Sequence, residues 1–157
     1  GDGAERETLT NRAAEAGIAD RVHFAGRRDD VGNWLSAMDV YLNTSLNEGM
    51  SQSVLEAMSA GLPQVVTDVG DSGLLVGGDD AVGRVVPAGD ADALAEAIDE
   101  IVSDEALRGE LGRRATLRHR DQYSLDGMVD RYETLYEDLA MARRCGPSRV
   151  QTTESVT

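Results

Sequence analysis

The chain has 157 residues, enough for one domain with a real core and too few for two. Its net charge is −14, from 29 acidic residues against 15 basic ones that are all Arg, so no basic face exists to grip nucleic acid. Aromatics make up only 4% of the residues, which leaves the core to Leu, Val, Ala and Met.

In chain order, residues 4–16 read as a helix with Leu9, Ala13 and Ala16 on one side and Gly17 after its end. Val22 to Ala25 reads as a short strand. Asp29-Asp30 can cap a helix whose apolar face is Val31, Trp34, Leu35 and Met38. Val40 to Asn43 is the next strand, followed by a loop and a helix over roughly 51–60 that closes at Gly61-Leu62-Pro63. Gln64 to Thr67 is a buried strand. The Gly-rich stretch 70–79 reads as a loop anchored by Leu74-Leu75-Val76, and Arg84 to Val86 as a last strand. Helices are predicted at about 91–102, 104–120 and 125–142, the last amphipathic through Met128, Val129, Tyr132, Leu135, Tyr136 and Leu139. Strands alternating with helices predict a parallel sheet covered on both faces. After Ala142 the periodicity is lost, and residues 143–157 are expected to be a disordered tail.

Cys145 is alone, so no internal disulfide can form, and it reads as an inert thiol. His23 sits in a predicted strand and His119 on a helix surface, and no His/Cys/Asp cluster has metal-ligand spacing, so no metal site is assigned. No apolar run approaches the ~20 residues needed to span a bilayer, and no signal-peptide pattern is present. The expected location is cytoplasmic, with peripheral contact at the inner face of a membrane left open. High Asp without Lys reads as a halophilic composition, because strong screening in a salty cytoplasm removes the self-repulsion.

The most informative segment is SLNEGMSQSVLEAMSAGLP, in which Glu48 lies in the loop after Val40-Tyr41-Leu42 and Glu56 lies inside the following helix. Both can face one cavity at the carboxyl end of a strand, where open α/β sheets bind ligands. The exposed N–H groups of the helix start suit a phosphate. The carboxylates suit sugar hydroxyls, so a ligand with both phosphate and sugar fits the layout. Taken by itself, the same spacing also describes a solvated loop Glu and a helix-surface Glu.

This segment resembles the Glu-x7-Glu signature of retaining glycosyltransferases of family 4, which have the two-domain GT-B architecture. The resemblance runs from Gly1-Asp2-Gly3 to Tyr136, through Arg21-Val22-His23-Phe24-Ala25-Gly26, Ala37-Met38-Asp39-Val40, Leu55-Glu56-Ala57-Met58, Val65-Val66-Thr67-Asp68-Val69-Gly70, Val85-Val86-Pro87 and Gly89-Asp90. It implies an α/β, Rossmann-like C-terminal domain over residues 1–142, its parallel sheet flanked by helices and incomplete at its N-terminus.

The implied activity is transfer of a sugar from a nucleotide-sugar to a glycan, lipid or small-molecule acceptor, with retention of configuration and no cofactor or metal. Glu48 is then the catalytic carboxylate, facing hydroxyls of the transferred sugar, and Glu56 holds the ribose hydroxyls. Gly49, Met50, Ser51, Gln52 and Ser53 supply the phosphate and sugar contacts, and backbone near Arg28 reads the nucleobase. Family members often carry Asn where Gln52 stands, and the stretch Thr67 to Ser72 departs from the common pattern.

A further domain of about 150 residues or more is expected upstream, with the acceptor site and the Arg and Lys that clamp the diphosphate. Any peripheral membrane contact would run through that domain. The chain would thus hold the donor-binding half only. Two other readings stay open: a truncated remnant without catalysis, and a sugar-nucleotide epimerase on the same architecture.

Overall fold

A computed structural model describes residues 2–144, which divide into two units after Met38.

In the first unit, helix α1 spans Arg6–Glu15 and helix α2 spans Val31–Leu35. Asp2 ties this unit together: it pairs with Arg6 at 2.7 Å and accepts a hydrogen bond from the Arg27 N–H at 3.1 Å. Arg6 also donates to the Phe24 carbonyl at 3.1 Å and lies over the Phe24 ring. The predicted strand Val22–Ala25 is not formed. The segment is extended at Val22 and alternates half-buried with exposed residues, His23 among the exposed, as a strand would. It has no ladder partner among the described residues, and an extended run without a neighbour to exchange hydrogen bonds with is not a sheet strand. Helix α2 ends before Met38, and of the four residues of the predicted apolar face only Leu35 is buried. Trp34 was expected to pack in the core; it instead carries the Arg28 guanidinium over its ring at 5.1 Å, a cation–π contact at the surface.

The second unit is built on a three-stranded parallel sheet of order β1 (Tyr41–Asn43), β2 (Gln64–Thr67) and β3 (Gly83–Val86). Tyr41 pairs with Gln64, and Gln64 in turn with Gly83. Gly83 is required there, because a Cβ would lie 1.8 Å from the Gln64 carbonyl oxygen. Parallel neighbours need long crossovers, which here are helix α3 (Gln52–Ser59) between β1 and β2 and helix α4 (Ser72–Val76) between β2 and β3. Helices α5 (Ala91–Ser103), α6 (Glu105–Arg118) and α7 (Leu125–Arg144) follow, with a wider π turn at His119–Tyr123 between the last two.

Every residue of β2 is buried, as expected of a central strand covered on both faces. Successive side chains point to opposite faces, so Val65 and Val66 enter two different clusters. Val66 packs with Val54, Met58, Leu75, Val76, Val82 and Ala115. Val65 packs with Val86, Ala97, Ile101 and Leu111. Helix α6 serves both faces through Leu111 and Ala115. Met58, Leu75, Ile101 and Leu111 are the largest of the fully buried side chains, each contributing roughly 1.5–3 kcal/mol by leaving water. Arg84 on β3 forks onto Glu100 on α5, with Nε to Oε2 at 2.7 Å, which holds the Glu100 carboxyl below its usual range.

The predicted loop 70–79 contains α4, a correction with a clear cause. Gly73 inside the segment argues against a helix by about 1 kcal/mol, and Gly70, Gly77 and Gly78 around it read as loop. Burial of Leu75 and Val76 outweighs that cost. Arg118 then donates to the carbonyls of Leu75 and Gly77, both at 2.9 Å, and of Asp80 at 2.8 Å, satisfying acceptors that the short helix leaves open. Leu74, expected to anchor the loop, points outward and is exposed. Helix α7 continues to Arg144, past the predicted end at Ala142, and the rest of the predicted tail, with Cys145, lies outside the described residues. Its apolar residues Met128, Val129, Tyr132, Leu135, Tyr136 and Leu139 are all exposed. No helix among the described residues is long and apolar enough to cross a membrane.

Candidate functional site

The carboxyl ends of β1 and β2 carry Asn43 and Thr67, both buried polar residues. Polar groups buried at strand ends must find partners, and these two organise the loop that follows β1. The Asn43 side chain accepts from the Ser45 N–H at 3.1 Å and donates to Ser51 Oγ at 3.1 Å. Thr67 Oγ1 donates to the Ser45 carbonyl at 2.6 Å. Ser45 Oγ in turn donates to Glu48 Oε1 at 2.7 Å. Glu48, half-buried in a loop, is therefore held by a chain of hydrogen bonds that begins in the sheet.

Gly70 fixes the same loop from the other side. Its φ is +52°, and a Cβ there would lie 2.3 Å from the Glu48 carbonyl oxygen and 2.7 Å from that of Gly49. Only glycine allows this left-handed backbone to press against the Glu48–Gly49 peptide. The Asp71 N–H then donates to the Gly49 carbonyl at 3.2 Å. A Cβ at Gly49 itself would meet no protein atom, so the space beside that residue is open to a ligand.

Helix α3 starts after Ser51, and its buried face of Val54, Ala57 and Met58 locks its direction. Ser51 stands at the cap position without capping. Its hydroxyl is 3.1 Å from Ser53 Oγ and accepts from Asn43, and among the described residues no side chain accepts from the first-turn N–H groups. Those donors and the positive end of the helix dipole are left for an anion. Met50, Gln52 and Glu56 are exposed around this start, and Ser53 is half-buried.

Tyr41 links the two carboxylates. Its phenol is pushed above its usual range, first by burial and then by the negative charges of Glu56 and Glu48, while Ser53 and Asn43 pull the other way. Both carboxylates thus act electrostatically on one phenol. Tyr41, Asn43, Ser45, Thr67 and Gly70 were not predicted as site residues. The available signal was polar residues at the carboxyl ends of apolar strand runs, where an α/β sheet places its ligands.

Arg28 belongs to the first unit, where its guanidinium donates to Asp30 at 2.9 and 3.0 Å. That pairing holds the Asp30 carboxyl below its usual range. Among the described residues no group of three or more His, Cys, Asp or Glu is arranged to hold a metal ion. A groove of about 480 Å³ lined by Asp80, Glu110, Arg113, Arg114 and Arg118 lies on α6 rather than at the strand ends. Its cations are already engaged, Arg113 and Arg114 by Glu110 and Arg118 by backbone carbonyls.

The sequence profile of the family described as "Glycosyl transferases group 1" matches residues 1–104. The chain is 36% identical over 133 residues to the lipopolysaccharide core biosynthesis glycosyltransferase LpsE of Rhizobium meliloti, covering 84% of this chain and 38% of that one. Among solved structures, it is similar to sucrose-phosphate synthase from Thermosynechococcus elongatus, with a TM-score of 0.79 and 31% identity, covering 90% of this chain and 36% of the synthase. The fold also matches the C-terminal domain of the glycosyl transferase group 1 family protein LpcC from Francisella tularensis, with a TM-score of 0.67 and 22% identity over 76% of this chain and 63% of that domain. The chain thus spans well under half the length of LpsE and of the synthase.

Proposed function

The chain belongs to the glycosyl transferases group 1 family, with the Rossmann-like C-terminal fold of a GT-B glycosyltransferase, and on that premise we propose that it forms the donor-binding half of a retaining, nucleotide-sugar-dependent enzyme. The observation that carries this reading is a loop carboxylate, Glu48, held by hydrogen bonds from the ends of a parallel sheet, next to the start of a helix that carries Glu56 and whose cap residue makes no cap bond. In the proposed complex the diphosphate lies against the backbone of Gly49 to Ser53 and the first turn of α3. The family resemblance assigns Glu56 to the ribose and Glu48 to the transferred sugar, and hydroxyl donors are the partners that let a carboxylate sit beside a diphosphate.

In the transfer, the bond between the anomeric carbon and the diphosphate oxygen breaks, the nucleoside diphosphate leaves with the electron pair and takes up the proton of the acceptor hydroxyl, and the acceptor oxygen bonds to the anomeric carbon on the same face. The acceptor, a glycan or lipid, is assigned to a second domain upstream, together with the cations that clamp the diphosphate.

In the full-length enzyme, Glu56→Ala is expected to weaken nucleoside diphosphate binding by roughly 1.5–3 kcal/mol, the value of a hydrogen bond to a charged group. Glu48→Ala should depress kcat more than it raises KM, because it acts where charge and geometry change in the transition state. The present chain alone should bind nucleoside diphosphate weakly and transfer nothing. Calorimetry and a transfer assay across a panel of nucleotide-sugars check all three. If both variants bind and turn over as the unmodified enzyme does, the assignment of this loop to the donor is wrong.

A further inference from the structure

Glu48 reaches the surface on a loop, and a loop carboxylate with three freely rotating bonds would sample many positions. One of its oxygens is nevertheless already spoken for, by the Ser45 hydroxyl at 2.7 Å. A hydroxyl has a single proton to donate, and Ser45 spends it on Glu48. Ser45 is itself held at both of its peptide groups. Its N–H donates to Asn43 Oδ1 at 3.1 Å, and its carbonyl accepts from Thr67 Oγ1 at 2.6 Å. Asn43 and Thr67 end the two strands β1 and β2, so the position of Ser45 is inherited from the sheet.

We propose that Ser45, anchored by Thr67, is a positioning residue that occupies Oε1 of Glu48 and presents Oε2 to the donor sugar. This rests on the assignment of Glu48 to the transferred sugar and extends it to a residue that never touches the ligand. A short O–H···O⁻ bond is among the stronger and more directional ones, suited to fixing a rotamer. Groups one shell out from a reacting centre matter because a displacement of about 1 Å can cost on the order of 100-fold in rate.

The experiment compares Ser45→Ala, Ser45→Thr and Thr67→Val with Glu48→Gln and the Ser45→Ala/Glu48→Gln pair in the full-length enzyme. Turnover and nucleoside diphosphate affinity are measured for each. Ser45→Ala is expected to lower kcat about 10- to 100-fold while the nucleoside diphosphate Kd stays within about twofold. Ser45→Thr keeps the hydroxyl and should recover most of the loss, whereas Thr67→Val should show the same signature more weakly. In the Glu48→Gln background Ser45→Ala should add little, because a residue acting through Glu48 has nothing left to position.

Full additivity of the two changes overturns the proposal. So does an equal fall in kcat and diphosphate affinity without rescue by Thr, which marks Ser45 as merely structural. A neutral Ser45→Ala beside a damaging Glu48→Gln removes the positioning role and leaves the donor-site reading standing. A neutral Glu48→Gln removes both.

Discussion

Three helices of the second unit begin in contrasting ways. At α5 and α6 an aspartate stands at the cap and does what caps do: Asp90 Oδ1 accepts from the Ala93 N–H, and Asp104 Oδ1 from the Leu107 N–H, both at 2.9 Å. At α3 the cap residue is Ser51, an equally good capping type, yet its hydroxyl is turned toward Asn43 and Ser53. The α5 and α6 starts satisfy their own orphan donors and serve only the fold. The α3 start leaves its donors open and spends its cap residue on holding the loop of Glu48. At α4 the cap residue Asp71 likewise makes no side-chain cap bond, so an uncapped start does not by itself mark a ligand; what sets α3 apart is that its cap residue is bound into the network that holds the loop of Glu48.

The largest test of this contrast is Gly70→Ala. A methyl group there would collide with the carbonyls of Glu48 and Gly49 in a left-handed backbone conformation. The expected loss is roughly 2–4 kcal/mol of stability, with ligand affinity lost alongside, as read by chemical denaturation and calorimetry. Next comes Ser51→Ala, which leaves the buried Asn43 amide without its acceptor and should cost about 1–3 kcal/mol. It should also weaken donor binding. If Ser51→Ala behaves as a simple cap loss, without effect on ligand, the contrast between α3 and the other helices collapses.

Asp90→Ala and Asp104→Ala should each cost about 1 kcal/mol and leave ligand affinity unchanged. Their melting curves and binding isotherms supply the control arm. The smallest expected effect sits on the outer face of α6, where Arg113 and Arg114 hold the Glu110 carboxyl at about 2, below its ordinary 4.5. A depressed folded pKa means stability that is fully present above the unfolded value and is lost as pH falls through the folded one. Denaturation between pH 7 and pH 2 should therefore show a small stability advantage over Glu110→Gln that shrinks below about pH 4.5. The group is exposed, so salt should blunt the difference further.

Much of this architecture is legible in the residues. The apolar runs at Tyr41–Asn43, Gln64–Thr67 and Gly83–Val86 became strands within a residue of their predicted bounds, because each is short, β-branched or apolar, and flanked by turn formers. The long helices predicted at about 91–102, 104–120 and 125–142 formed within two residues of those bounds, with Asp90 and Asp104 found as the caps of the first two. Two failures have specific causes. Val22–Ala25 has a strand's alternation without a neighbour to pair with, and pairing is a property of two segments. Helix α4 is built from Gly-rich sequence that local propensity disfavours, and forms because Leu75 and Val76 are buried and Arg118, more than forty residues away, donates to its carbonyls.

The candidate site divides the same way. Glu48, Glu56 and the residues from Gly49 to Ser53 could be named from the sequence through their resemblance to the family motif, and a loop after a strand and the first turns of a helix are close in sequence and therefore close in space. Their partners could not. Thr67 lies 22 residues from Ser45, and Gly70 presses on Glu48 across a similar separation. Such contacts exist only once β1 and β2 lie side by side and α3 has brought the chain back. Chemistry that depends on neighbours along the chain was determined by the sequence; the orientation of Glu48 depends on groups that only the folded sheet brings within hydrogen-bonding distance.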